Sequence, residues 1–517
     1  MLFNSPEFIF AFLPIVLLGF KLFAGKSTKA AIWWLALASL VFYSAWSVKF
    51  LPLLLASVAV NYASAVLISK TRNKPKLQHW ALIGAISINL GALCYFKYLF
   101  PTLNFFAERG FLPASFQNVV LPLGISFFTF TQIAYLVDLK QGDAELEPFG
   151  NYLFFVTFFP HLIAGPILHH REIMPQLLAK ERFRLNAADM AAGATLFVIG
   201  LFKKVNIADK ISVYVPTLFE HPAQAGLVGA WIGVLCYAMQ LYFDFSGYSD
   251  MAVGLALMFS VRFPLNFNSP YKARSIIDFW QCWHMTLTRY LTAYLYNPMA
   301  LAIARRSVRK GKRFSPKAKV TAGVFASRIA FPTVTTMFLA GIWHGSGPQF
   351  IVFGVLHGIY LTINHAWRSF GGGIRKWALP ATSRSPAVFS CLSVLVVFLA
   401  VIAGQVFFRA KSIADGIKII GALSARHGVG FTSAGLGMSE LLHLGTFLAI
   451  VWLCPNSQQI VGYSPHQPGE AASLLGNLTR RRFQWQPSPA WALMVALVLT
   501  YALLNFQSNS EFLYFQF

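Results

Sequence analysis

The sequence predicts an all-α, polytopic integral membrane protein, and three observations carry that prediction. Hydrophobic residues fill 56% of the 517 positions and charged ones only 12%, a balance too apolar for a water-soluble domain. Runs without a single Lys, Arg, Asp or Glu recur from end to end, and most are long enough for the about 20 apolar residues of a membrane-crossing helix. The 42 basic residues, against 18 acidic ones, gather in the connections between those runs, where topology accounts for them without a nucleic-acid partner.

In chain order, the apolar stretch Phe8–Phe20 follows Glu7, has no basic residue ahead of it and shows no small-residue cleavage site. It reads as a retained membrane segment, not a signal peptide. Charge-free runs then occupy 30–48, 50–69, 77–96, 111–137, 148–170, 221–243, 329–367, 385–408, 441–469 and 483–510. With shorter runs such as Met190–Phe202 counted, about 10 to 13 membrane segments are expected.

The basic clusters orient these segments. Lys70, Arg72, Lys74 and Lys76 form one, eight residues from Arg305 to Lys319 a second, and Arg480, Arg481 and Arg482 a third; the positive-inside rule makes their loops cytoplasmic. Basic loops at 305–319 and from Arg368 to Arg384 flank the run Ile329–Trp367. That run is nearly twice the length of one crossing and is interrupted by Gly345, Gly347 and Pro348. It reads as two spans, or as one span and a re-entrant segment, entering and leaving on the same side.

A single membrane domain over 1–517 is the simplest organisation, because no hydrophilic block of globular composition interrupts the runs. The connections 301–328, 368–387 and His466–Pro487 read as cytosolic loops or hinges. No internal repeat is evident, unlike many secondary transporters. Cys94, Cys236, Cys282, Cys391 and Cys454 show no paired or CxxC spacing, so neither a disulfide framework nor a metal site is expected.

Four places hold residues able to do chemistry. His344, in Gly-Ile-Trp-His-Gly at 341–345, lies within the longest charge-free run and beside helix-breaking residues. Broken backbone at membrane depth lines a cavity, and an imidazole can take a proton from a hydroxyl and return one to a leaving group; the alternative is a buried His bonded to a neighbouring helix. His357 is a weaker candidate of the same kind, and His365 reads as interfacial. The segment 269–291 carries Lys272, Arg274, Asp278, His284 and Arg289 among Ile277, Trp280 and Trp283. Helical spacing there puts Trp280 and His284 on one face, either lining a cavity or anchoring an interfacial helix. Cys282 and His284, two apart, do not face each other on a helix and make no nucleophile–base pair. Asp244 and Asp250, in the segment 243–254, suit helix capping or ion pairing with Arg262 or Lys272. His161, in 158–167, signals a kinked helix.

Six strings together resemble one family: 121–138, 158–167, 243–259, 266–284 (Asn-Phe-Asn-Ser-Pro-Tyr-Lys-Ala through Trp-Gln-Cys-Trp-His), 341–345 and 355–358, with the ending 512–517 also similar. In that order they resemble the membrane-bound O-acyltransferases, in particular the bacterial AlgI/DltB-like branch of alginate O-acetylation and D-alanyl transfer proteins. The likeness is densest over about 121–366. It implies a ring of tilted transmembrane helices around a central tunnel, where a cytoplasmic acyl thioester meets an acceptor reaching in from outside.

Carried over residue by residue, the resemblance implies that His344 is the general base and His284 a supporting catalytic residue. Asp278, Trp280, Trp283, Trp343, Ser346, His357, Asn266 and Asp244 become substrate- or tunnel-lining candidates. It further implies acetyl-CoA or an acyl-carrier protein as donor, a polysaccharide acceptor, an extracytoplasmic acetyltransferase-type partner, no bound cofactor, and residence in the bacterial cytoplasmic membrane among its lipids. The chain departs from the pattern twice: Thr292-Ala293-Tyr294 stands where relatives carry Arg-Asp-Tyr, and Gly345-Ser346-Gly347-Pro348 where they carry Gly-Ala and an aromatic. D-alanyl transfer is the near alternative. A transporter with a His and Asp relay, or a non-catalytic scaffold, are remoter ones.

Overall fold

The computed structural model describes all residues except 114–115, 117–118, 180–182, 310–320, 372–385, 431–437, 464–484, 507–511 and 514–517. Residues 310–320 of the basic loop 301–328, the cluster Arg480–Arg482, most of His466–Pro487 and the last four residues therefore lie outside the described residues.

The described residues form helices and irregular connections, with one isolated bridge between Phe267 and Trp283. In chain order the main helices are α1 (Phe8–Ala24), α2 (Thr28–Ser44), α3 (Val48–Lys70), α4 (Pro75–Ala107), α5 (Ile125–Gln141), α6 (Phe149–Thr157), α7 (His170–Leu178), α8 (Ala187–Ser212) and α9 (Leu227–Met258). There follow α10 (Ile276–Cys282), α11 (Met285–Leu291), α12 (Asn297–Arg309), α13 (Ala322–His344), α14 (Pro348–Phe370), α15 (Val388–Arg409), α16 (Ile413–Leu423), α17 (Ser439–Leu453), α18 (Ser457–Val461) and α19 (Pro489–Leu504).

Seven of these, α3, α4, α8, α9, α13, α14 and α15, are long and apolar enough to cross a membrane, and α1, α2, α17 and α19 are shorter apolar helices. Local chemistry places their ends. Pro75, Pro348 and Pro489 open α4, α14 and α19, where a missing N–H costs nothing. Ser275, Ser412, Asn456 and Ser488 cap α10, α16, α18 and α19 through their side-chain oxygens. The run 329–367 resolves into two helices, α13 and α14, joined by the Gly345–Gly347 turn. Met190–Phe202, a partial run by sequence, belongs to the 26-residue α8.

The chain divides into two compact units. The first comprises Met1–Ile207, Phe243–Leu265 and Pro455–Gln516. Its centre is a cluster of aromatic rings: Phe3, Phe8, Phe12, Phe42 and Phe159 are all buried, and Phe3 stacks on Tyr248 at 4.8 Å. Asn61 on α3 and Asn89 on α4 exchange amide hydrogen bonds of 3.1 and 2.7 Å, a pairing that joins helices where lipid offers no hydrogen-bond partner.

The two acidic residues of this unit form ion pairs, but their partners are not Arg262 and Lys272. Asp244 pairs with Lys204 at 2.7 Å and accepts the Leu513 N–H at 3.0 Å. Asp250 pairs with Lys203 at 2.6 Å and accepts from Ser457 and Gln458. Arg262 bonds Asp189, and Lys272 donates to the Cys454 carbonyl. The two lysines sit on a π-helical stretch, Lys203–Ala208, within an apolar helix, a backbone irregularity that sequence spacing does not reveal.

The second unit comprises Ala208–Tyr242 and Asn266–Cys454. Its central feature is the α13–α14 hairpin. Gly341 and Gly354 bring the two backbones together: a Cβ on Gly354 would lie 2.3 Å from the Met337 carbonyl oxygen, and one on Gly341 2.3 Å from that of Phe350. Neither backbone atom can yield as a side-chain tip could. Gly354→Val is expected to destabilise the protein by about 1–3 kcal/mol or more through overpacking, read as a lowered unfolding midpoint in detergent; an unchanged midpoint would show that the hairpin opens freely.

Candidate active site

His344 is the last residue of α13 and is 8% exposed. Its position follows from the hairpin: the chain leaves the helix at Gly345, which is extended, and re-enters one at Pro348. A side chain at 345 has no room, since its Cβ would lie 2.1 Å from the Phe350 ring. Around the His344 imidazole stand the rings of Trp343, Phe408 and Phe353, with centroids at 4.8, 4.9 and 5.8 Å. Three helices, α13, α14 and α15, thus supply its walls.

His284 reaches the same neighbourhood by a different route. The expected continuous helix through 269–291 is broken: α10 stops at Cys282, His284 adopts a left-handed backbone (φ 43°, ψ 52°), and α11 begins at Met285. Two short hydrogen bonds enforce the break, from Asn268 N–H to the Cys282 carbonyl and from Met285 N–H to the Asn266 carbonyl, each 2.9 Å. Trp280 and His284 consequently do not share a helical face. Trp280 instead donates its indole N–H to His357 Nδ1 at 3.3 Å, while the His284 ring lies 6.4 Å from Trp343. The indole of Trp343 is therefore common to both candidate histidines.

Asn266, 1% exposed, holds His284 directly: its Oδ1 lies 2.9 Å from His284 Nδ1 and also receives the Thr286 hydroxyl and N–H at 3.0 and 3.4 Å. His357 is one ring further along, with Phe353 between it and His344 at 4.7 and 5.8 Å. His357, also 1% exposed, packs against α15, where a Cβ on Gly404 would lie 2.4 Å from its Nε2.

The other candidates are placed elsewhere. Trp283 turns into a packed cluster with Phe267, Phe279 and Tyr271. Asp278 lies in the first turn of α10, where its N–H meets the Ser275 cap and its carboxylate approaches Arg368 at 3.5 Å; both side chains of that pair are about half exposed, at 43% and 52%. Ser346 is exposed in the turn. Asp244 belongs to the first unit, in its ion pair with Lys204. The departure at Thr292-Ala293-Tyr294 falls on a π-helical turn, Thr292–Tyr296, with Thr292 and Ala293 exposed.

Sequence reasoning missed Phe353 and Phe408, since nothing distinguishes them among 50 phenylalanines. It also missed Gln349, buried at the start of α14 with no hydrogen-bond partner for its Oε1 among the described residues. A lone amide one residue after a helix-opening proline, in a charge-free run, was the signal available.

The model of the membrane-bound O-acyltransferase family matches residues 31–313, a stretch that includes His284 and ends before His344. A peptidoglycan O-acetyltransferase of Helicobacter pylori is 37% identical over 475 residues, covering 86% of this chain and 83% of that protein. A Pseudomonas aeruginosa protein named "Probable alginate O-acetylase AlgI" is 32% identical over the full length of both. A teichoic acid D-alanyltransferase of Bacillus subtilis is 27% identical over 57% of this chain and 70% of its own. With helices fit to cross a membrane many times and a family match over more than half its length, the chain belongs to the membrane-bound O-acyltransferases, in their bacterial AlgI/DltB-like branch.

Proposed function

We propose that this multi-pass acyltransferase moves an acetyl group from a cytoplasmic thioester to an extracytoplasmic polysaccharide, or to a partner protein that passes it on, with His344 as general base. The observation that carries the reading is the meeting of His284 and His344, far apart in sequence, on the single indole of Trp343.

The chemistry asks little more of the protein. The acceptor hydroxyl gives its proton to the His344 imidazole as its oxygen attacks the thioester carbonyl; the C–S bond breaks, and the proton goes to the departing thiolate. A thioester is already activated, so alignment and stabilisation of the developing oxyanion in a water-poor site supply most of the remaining acceleration. The backbone amides of the Gly345–Gly347 turn are the proposed oxyanion donors. The ring walls of Trp343, Phe353 and Phe408 favour such a site by excluding water.

Acetyl-CoA is the proposed donor, and the bacterial cytoplasmic membrane, with the basic loops on the donor side, the proposed location. Acetyl is favoured over D-alanyl because the relatives named for acetylation match 86–100% of this chain and the D-alanyltransferase 57%. Polysaccharide is favoured as acceptor because peptidoglycan and alginate, in those relatives' names, are both of that class.

The test is ester-linked acetate on extracellular glycans in cells lacking the protein, with and without the wild-type gene restored. Restoration of acetate is the expected result. A change confined to D-alanyl esters would move the assignment to D-alanyl transfer, and unchanged esters of both kinds would overturn the reading.

A further inference from the structure

We propose that Asn266 is a positioning residue that holds the His284 ring in the tautomer with its hydrogen on Nδ1, leaving Nε2 as the proton-accepting atom. The inference deepens the acyl-transfer reading and rests on it for the function of His284, though not for the geometry.

The backbone around the pair forms a small clasp. Residues 266–268 run antiparallel to 282–285, with the Phe267–Trp283 bridge between the two hydrogen bonds at Asn268 and Met285. That clasp holds His284 in the left-handed region (φ 43°), a conformation costly for any residue with a Cβ. Both side chains are 1% exposed, so water does not compete for their polar atoms.

The proton's place follows from the donors. A backbone N–H can only donate, so the Asn266 atom facing Thr286 N–H is the amide oxygen, not its NH₂. The Thr286 hydroxyl, 3.0 Å from the same oxygen, is consistent with that orientation. An amide oxygen cannot donate, so His284 Nδ1, 2.9 Å away, must carry the hydrogen. In a neutral imidazole the lone pair is then on Nε2, and a fixed partner on one nitrogen is what sets which atom can act as a base. Asn266 orients the ring as a neutral acceptor. Such an arrangement suits a histidine that accepts a proton transiently or orients the acceptor hydroxyl.

The test uses the full chain in inside-out membrane vesicles with acetyl-CoA, following CoA release, beside solid-state nitrogen NMR of the histidine-labelled protein. Asn266→Leu keeps the bulk and removes the acceptor; Asn266→Asp keeps an acceptor oxygen in place. We expect Asn266→Leu to lower kcat by about 10- to 100-fold, as loss of an orienting partner does, with the KM for acetyl-CoA within about two-fold. Asn266→Asp should recover most of that loss, which a packing role alone would not produce, since Leu fills the same space. The wild-type spectrum, with the His284 resonance assigned by its loss in His284→Gln, should show hydrogen on Nδ1. Hydrogen on Nε2, or wild-type kcat in Asn266→Leu at equal folded level, would overturn the proposal. If the wild-type vesicles release no CoA at all, the acyl-transfer reading fails by itself, and the spectrum alone decides the assignment of Asn266.

Discussion

His344→Gln is expected to lower acyl transfer by a factor of about 10² to 10⁴, the range a positioned general base contributes, while leaving the protein at wild-type level in the membrane. Gln keeps a polar side chain of similar reach among Trp343, Phe353 and Phe408 but cannot take a proton from an acceptor hydroxyl at neutral pH. His344→Ala adds a cavity beneath three rings, so its stability is the less clean comparison. The measurement is ester-linked acetate on extracellular glycan, with CoA release in vesicles beside it, both normalised to folded protein. Full activity in His344→Gln would remove His344 from the chemistry and favour a scaffold role. Loss of glycan acetate with CoA release intact would place the histidine on the acceptor side of the reaction.

The second large effect lies in the first unit, at Asp250. Its carboxylate is 1% exposed and receives three hydrogen bonds, from Lys203 at 2.6 Å, Ser457 at 2.5 Å and Gln458 at 2.6 Å. Asp250→Ala leaves the Lys203 ammonium, 13% exposed, beside an apolar helix without its counter-charge. Removing one member of a buried pair costs about 3–5 kcal/mol, because the remaining charge has lost both water and partner. The expected outcome is a strongly lowered unfolding midpoint and reduced accumulation in the membrane. The double variant Lys203→Met, Asp250→Leu should recover more than half of that loss, because two well-packed apolar side chains carry no desolvation cost. Equal loss in the single and double variants would mean that the Ser457 and Gln458 bonds, not the ion pair, supply the stability.

These predictions rest on features that differ in how far the sequence disclosed them. The membrane class and the helical class were legible, because apolar run length and the placement of basic residues are one-dimensional properties. The hairpin α13–α14 was legible in outline, since Gly345, Gly347 and Pro348 mark a break in a run too long for one crossing. His344 stood out for the same reason: it is the histidine at that break, in the longest charge-free run. The pairing of Asp244 and Asp250 was legible as a type of interaction and not as a set of partners. Lys203 and Lys204 were hidden because the π-helical stretch on which they sit has no signature along the chain.

His284 shows the limit most clearly. Sequence spacing placed it on one face with Trp280, an inference that holds only while the helix continues; the clasp between 266–268 and 282–285 ends the helix and turns the ring toward Trp343 instead. By itself, then, the sequence determined that this chain is a many-helix membrane protein with two suspect histidines, because run length, charge placement and motif strings depend on local order. Only the tertiary structure decided that His284 and His344 share one indole, that Asn266 holds one of them, and that Trp280 serves His357. Those arrangements depend on a left-handed backbone turn and on the close approach of two glycine-bearing helices, contacts that arise between segments and leave no periodic trace along the chain.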